Sequence, residues 1–237
     1  MEFLDVRNTL SRHPTKTFAK RTRSEIQGGC VHHTGGGDDP YSTARYHVGP
    51  NHISDTGCPA LCYAFYIDKR GIIYWANDLE EITWSQGSHS ANRNYLAIVC
   101  GGDFSKDSPP FDQILSLLVF WGHLTGAIMD YRLPRELYAA IKCPPEALYG
   151  HHNFGKPECP GIVYQTLVNS IREHLHRLVT IEDWQQKLND AGASPLLIVD
   201  GVWGPKSEAA LKIFQTLNDL VPDGIRGPLS EAQLLQF

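Results

Sequence analysis

The sequence is poor in the features that would tie it to a membrane or to a nucleic acid. Its longest apolar run, ILSLLVFW at 114–121, falls well short of the roughly 20 residues that a spanning helix needs. The first residues, MEFLDVRNTL, carry charge and no apolar centre, which excludes a secretory signal and predicts a protein made in the cytosol. Charge of one sign is lacking too: 21 Lys and Arg face 26 Asp and Glu, a formal net charge of −5. Bulk attraction to nucleic acid or to an acidic bilayer is thereby excluded. Six cysteines are few for a disulfide framework in 237 residues, and cytosolic synthesis would keep them reduced. No pair of carboxylates stands out for glycosidase chemistry.

What is present suits a soluble, well-packed chain. Hydrophobic residues make up 42% and charged residues 20%, enough apolar material for one large domain or a medium one and a small one. The charge is uneven. Residues 181–237 hold four basic and eight acidic side chains, whereas residues 1–23 hold six basic and two acidic, and read as a solvated arm.

The C-terminal part repeats itself. DGVWGPKSEAAL (200–211) returns as DGIRGPLSEAQL (223–234). In each copy Asp-Gly predicts a tight turn, Gly-Pro a helix start, and Glu208 or Glu231 a first-turn acid favoured by the helix dipole. Leu211, Phe214 and Leu217 are expected to continue one apolar helix face, and IEDWQQKLNDAG (181–192) to form a preceding helix stopped by Gly192. The result is a three-helix module at 179–237. Trp203 is a candidate binding platform or a packed turn residue.

Residues 1–178 read as an α/β (α+β) domain with a mixed central sheet flanked by helices. CYAFYI and GIIYWA (62–67 and 71–76) predict a β-hairpin across Asp68 to Arg70. YLAIVCGG (95–102) predicts a buried strand. Ile114, Leu117, Leu118, Trp121, Leu124 and Ile128 share a helical face, so the expected helix runs over 111–130; another follows Pro160 to about Arg177.

Two segments carry the chemistry. GGCVHHTGG (28–36) and YGHHNFGKPECPG (149–161) each lead from a short apolar approach through paired histidines into a loop, and the second adds Cys159. Neutral imidazoles and a thiolate suit zinc at roughly 2.0–2.3 Å. Cys58 and Cys62 form a C-x₃-C pair with no second pair at suitable spacing, and are expected to be loop or packing cysteines.

VHHTGG, CYAFYID, GSHSANRNYLAIVCGG and GHHNFGKPECPG together resemble, in order, the zinc-dependent N-acetylmuramoyl-L-alanine amidases, in the branch shared by amidase-type phage lysozymes and peptidoglycan recognition proteins. The resemblance spans most of residues 1–177 and places the Zn²⁺ ligands on His32, His151 and Cys159, with His33 and His152 as neighbours. Three protein ligands leave one tetrahedral position open, the mark of a catalytic zinc. The resemblance also implies that Tyr63 orients water or steadies the oxyanion. Its alternation with Phe65 and Ile67 puts it on one face with them, which would equally mark a core position. His89 matches a histidine near the phage enzymes' metal site, or is an exposed loop residue. The oxyanion lysine of the phage enzymes falls on Pro157; Lys156, one step back, takes that role or is a solvated loop lysine. A glutamate that related recycling amidases carry near Val99 is missing, which favours the phage branch.

The tail resembles the peptidoglycan-binding module found beside many wall hydrolases. The expectation is therefore a monomeric phage endolysin that binds bacterial peptidoglycan, stays in the host cytoplasm until released to the wall, and cuts the amide between N-acetylmuramic acid and L-alanine. The alternatives are a recognition protein that only binds, and a zinc peptidase acting within the stem peptide.

Overall fold

The computed structural model describes residues 1–177, 180–226, 228–234 and 237. Six strands form one mixed sheet: β1 (Phe3–Asp5), β2 (Gly28–His33), β3 (Phe65–Ile67), β4 (Ile73–Trp75), β5 (Tyr95–Cys100) and β6 (Leu148–Gly150). They lie in the order β1-β4-β3-β5-β2-β6. Only β3 and β4, joined by a hairpin, run antiparallel; every other neighbouring pair is parallel. The mixed sheet flanked by helices agrees with the fold class expected from the sequence.

Both faces of the sheet are covered, as parallel strands require. One face carries α3 (Phe111–Thr125) and α4 (Ile162–Arg177), which bury Leu117, Phe120, Trp121, Tyr164 and Val168 against Val31, Phe65 and Ile98. Phe65 meets Phe120 edge-on at 4.6 Å. Gly29 makes this approach possible: a Cβ there would stand 2.7 Å from the Trp121 ring. The opposite face carries α1 (Pro40–Val48), whose Ala44 packs with Leu61, Tyr66, Tyr74 and Val99. Asp39 caps α1 by accepting from the Tyr41 and Ser42 amides, and Pro40 fills the first position.

Several sequence expectations change. The basic segment 1–23 is no solvated arm. It supplies edge strand β1, buries Val6, Leu10 and Phe18, and has its cations engaged: Arg7 with Asp5 and Asp78, Lys16 with the Thr56 and Gly57 carbonyls, Arg21 with the Leu79, Asn92 and Arg93 carbonyls. The long helix ends at Thr125, because Gly126 takes a left-handed conformation (φ +85°); Ile128 still reaches the core by folding back onto Gly122. The hairpin's first strand begins at Phe65, after a bend over 62–64, and the buried strand closes at Cys100.

The C-terminal module has its own core of Trp184, Leu188, Leu197, Leu211, Phe214 and Leu234 on α5 (Ile181–Asp190), α6 (Pro205–Leu217) and α7 (Pro228–Leu234) and the loops between them. The boundary expected at 178/179 falls outside the described residues. Leu217 does not join the α6 face; it is 76% exposed, since six residues past Leu211 places it about 120° round the helix, at its last residue. Two buried glutamines give the repeat its mechanism. Gln185 donates to Asp200, Val202 and Ser207 and accepts from the Asp200 and Gly201 amides. Gln215 does the same for Asp223, Ile225 and Ser230 and accepts from the Gly224 amide. Each Asp-Gly turn is thus held by a glutamine from the helix before it.

Candidate metal centre and its cleft

Strands β2 and β6 are parallel neighbours, and Val31 stands opposite Gly150. The next residue on each side is a histidine, so His32, one residue before the carboxyl end of β2, meets His151, just past the end of β6, at the edge where open parallel sheets form their crevices. Their ring centroids are 4.3 Å apart. Cys159 enters from the following loop, its Sγ 3.9 Å from His32 Nδ1. One ligand atom from each of the three lies within 4.8 Å of the others.

Burial shapes the protonation of all three. It pushes His32 well below the usual imidazole range, and the neighbouring His151 adds to this. His151 is lowered to about 4, again chiefly by burial, although a hydrogen bond with the Gln86 backbone opposes the shift. Both rings are neutral at pH 7, as metal ligands must be. The Nε2 atoms of His32 and His151 are buried with no hydrogen-bond partner. Two imidazoles and a sulfur, with His32 Nδ1 facing Cys159 Sγ, are a donor set that zinc satisfies. Burial raises the Cys159 thiol to about 11, while a hydrogen bond from the His33 backbone works the other way. A cation at this place would reverse that penalty and favour thiolate.

His33 points to the other face of β2, as strand alternation demands. Its Nδ1 accepts from the Phe104 amide at 3.1 Å, so its side chain braces the loop while its backbone braces Cys159. His152 stands beside the centre without joining it.

The trio forms the floor of a cleft of about 1000 Å³. Tyr63 lies in its wall, with its ring 5.1 Å from His32. It does not share a face with Phe65 and Ile67: those pack under α3, and the bend at 62–64 breaks the alternation before Tyr63 is reached. Burial, reinforced by Cys159, drives its phenol far upward, so it stays a proton donor. His89 is the exposed first residue of α2 (His89–Asn94) and lines the cleft on the side of Trp84 and Asn92. Lys156 is exposed at the mouth, on the loop whose carbonyl accepts from the Cys159 amide at 3.0 Å. Among the described residues, none that lines the cleft is acidic.

Two contributors carry no signal in the motifs. His47 of α1 is 3% exposed and lines the cleft. Its Nδ1 accepts from the Cys62 amide at 3.1 Å, its ring lies 5.6 Å from Tyr63, and burial lowers it to about 4. Gln86 acts through its backbone on His151, which a sequence reading of side chains does not find. Cys58 and Cys62 are both buried, outside the trio of His32, His151 and Cys159.

Comparison with known proteins agrees with this geometry. The model of the N-acetylmuramoyl-L-alanine amidase family matches residues 22–162, and that of a peptidoglycan binding domain matches 180–234. Among solved structures, the amidase LysC from Clostridium intestinale URNW is 19% identical, with 74% of this chain and 98% of that one covered and a TM-score of 0.53. The Ph2119 endolysin from the Thermus scotoductus MAT2119 bacteriophage is 20% identical over 72% and 99% of the chains, with a TM-score of 0.53. Wild-type PGRP-LB of Drosophila is 19% identical over 71% and 93%, with a TM-score of 0.52. At these identities the solved structures speak for the fold alone. No curated protein sequence matches significantly. The family model covers more than half of the chain and includes His32, His151 and Cys159, and with it the chain belongs to the N-acetylmuramoyl-L-alanine amidase family.

Proposed function

We propose that the protein is a zinc-dependent peptidoglycan amidase of the endolysin type, which hydrolyses the bond between N-acetylmuramic acid and L-alanine while its C-terminal module holds the wall. The observation that carries the reading is the convergence of two neutral imidazoles and one thiol at the floor of an open cleft in a chain of this family. A zinc ion on His32, His151 and Cys159 would supply a Lewis acid and an activated water.

The chain's own groups supply the rest. Tyr63, kept protonated by burial, donates a hydrogen bond to the carbonyl oxygen as negative charge gathers on it. Lys156 brings a positive charge to the mouth, and among the described residues the cleft has no carboxylate to repel an anionic stem peptide. His89 lines the wall, where it exchanges protons with the leaving amine or with solvent. The module at 180–234 keeps the cleft close to an insoluble substrate and raises its local concentration. Among the described residues no helix is long and apolar enough to cross a membrane, and the reading needs none. The working unit is proposed to be a monomer.

Metal analysis paired with mass spectrometry of wall digests tests the reading. Expected are one zinc per chain and peptides with free L-alanine amino termini. Cuts within the stem peptide would make it a peptidase, and a zinc-free protein that only binds walls would make it a recognition protein.

A further inference from the structure

A second concavity, about 230 Å³, lies in the seam between the amidase domain and the C-terminal module and shares no residue with the metal-site cleft. Met129, Tyr131 and Tyr138 form one side; Trp203, Glu208 and Arg226 form the other. Trp203 and Arg226 hold the same place in the two repeats, DGVW and DGIR, and the loops that carry them are the ones clasped by Gln185 and Gln215. The two side chains stack, with the Arg226 guanidinium 4.8 Å from the Trp203 ring centroid. Arg226 is only 5% exposed and hydrogen-bonds Tyr138. The Tyr138 hydroxyl in turn donates to the Gly126 carbonyl at 3.2 Å.

Among the described residues no carboxylate forms an ion pair with Arg226. Glu208, in the same wall, is taken by Lys212 at 2.7 Å. A guanidinium has five donors, and among the described residues the partners of this one are a ring face and a phenol, neither of them charged. A buried cation without an anion is costly, and the cost is recovered when an anion arrives. At the rim Tyr131 is 74% exposed, a flat aromatic surface beside the cationic pocket.

We propose that this seam is a second peptidoglycan subsite, in which a stem-peptide carboxylate binds Arg226 and an adjoining sugar ring lies on Tyr131. The proposal rests on the amidase reading, since the ligand is the same polymer. Its chemistry is distinct: a carboxylate held by a buried arginine, with no metal and no bond broken. Bound there, a strand would touch both domains at once and fix the module relative to the cleft.

Adsorption of the full chain to purified cell walls, with chelator present to halt hydrolysis, tests this. Walls are compared before and after their carboxylates are converted to amides. Wild type is expected to bind amidated walls about tenfold more weakly, the size of one lost charged contact. Arg226→Gln should bind native walls about as weakly, and amidation should weaken that variant little further. Tyr131→Ala, whose side chain is too exposed to matter for folding, should also lose affinity, at an unchanged melting temperature. Equal adsorption by wild type and both variants overturns the subsite, as do additive effects of Arg226→Gln and amidation. Hydrolysis of a soluble muramoyl peptide, followed in parallel, should be unaffected in every variant. Its failure in the wild type would strike the amidase reading, whereas adsorption indifferent to Arg226 with hydrolysis intact strikes the subsite alone.

Discussion

His32 and His151 sit one residue beyond paired strand positions, with ring centroids 4.3 Å apart, although the chain between them passes through most of the domain. The parallel register of β2 and β6 therefore sets the geometry of the centre, and the loop after β6 has only to return Cys159. Strands hold such a pair more firmly than loops do, which suits the proposed site of three ligands on one ion.

Replacing any one of His32, His151 and Cys159 by alanine is expected to remove bound zinc and lower amide hydrolysis at least about a thousandfold. Adsorption to walls should persist, because the module has its own core. Metal analysis and muropeptide release give the two readouts, and near-normal lysis by Cys159→Ala would refute the ligand set.

Tyr63→Phe separates a catalytic phenol from a packing residue. It keeps the ring against His32 and His47 and removes only the donor. A fall in kcat of about 10²–10³, with zinc content and melting temperature unchanged, is expected for a lost oxyanion donor. Unaltered kcat would leave Tyr63 as a wall residue.

Chelation should cost the amidase domain stability, because it removes the ion proposed to tie His32, His151 and Cys159 together. A drop in its Tm of roughly 5 °C is expected, restored by added zinc. The transition of the C-terminal module should not move.

His47 gives a pH dependence of known sign. Its folded pKa, about 4, lies below the ordinary imidazole value. Above about pH 6.5 both folded and unfolded forms are neutral and its contribution is complete; between there and about 4 the unfolded chain takes up the proton first, and up to about 3 kcal/mol is lost. Denaturant melts across that range should show His47→Gln, which keeps an acceptor for the Cys62 amide, losing less stability on acidification than wild type. An equal loss would remove His47 as the cause.

Gln215→Ala takes the clasp from the second Asp-Gly turn, where it makes three donated bonds and accepts one. A loss of about 2–4 kcal/mol from the module is expected, visible as a lowered melting transition and weaker wall adsorption. Turnover of small soluble substrates should be unaffected.

Much of the site was legible because its chemistry sits in compact motifs. VHH and GHH mark strand ends by an apolar lead and a loop behind, and Cys159 follows within reach. The parts that escaped are those that depend on partners far away in the chain. The segment 1–23 looked solvated by its charge, yet Val6, Leu10 and Phe18 find a core that no local pattern announces. Tyr63 looked like a strand residue because a bend leaves no trace in alternation. Gln86 contributes a carbonyl, which every residue has. Gln185 and Gln215 lie outside the repeated motif, so comparing its two copies does not draw attention to them. Leu217 failed for a simpler reason: apolar type was allowed to outweigh helical angle.

Cys159 stands 127 positions after the histidine that it meets. All six strands of the sheet precede that cysteine, so a fragment truncated ahead of it would carry the sheet and still lack the third of the proposed ligands. On the proposed function, the hydrolytic centre is thus incomplete for most of the chain's own synthesis.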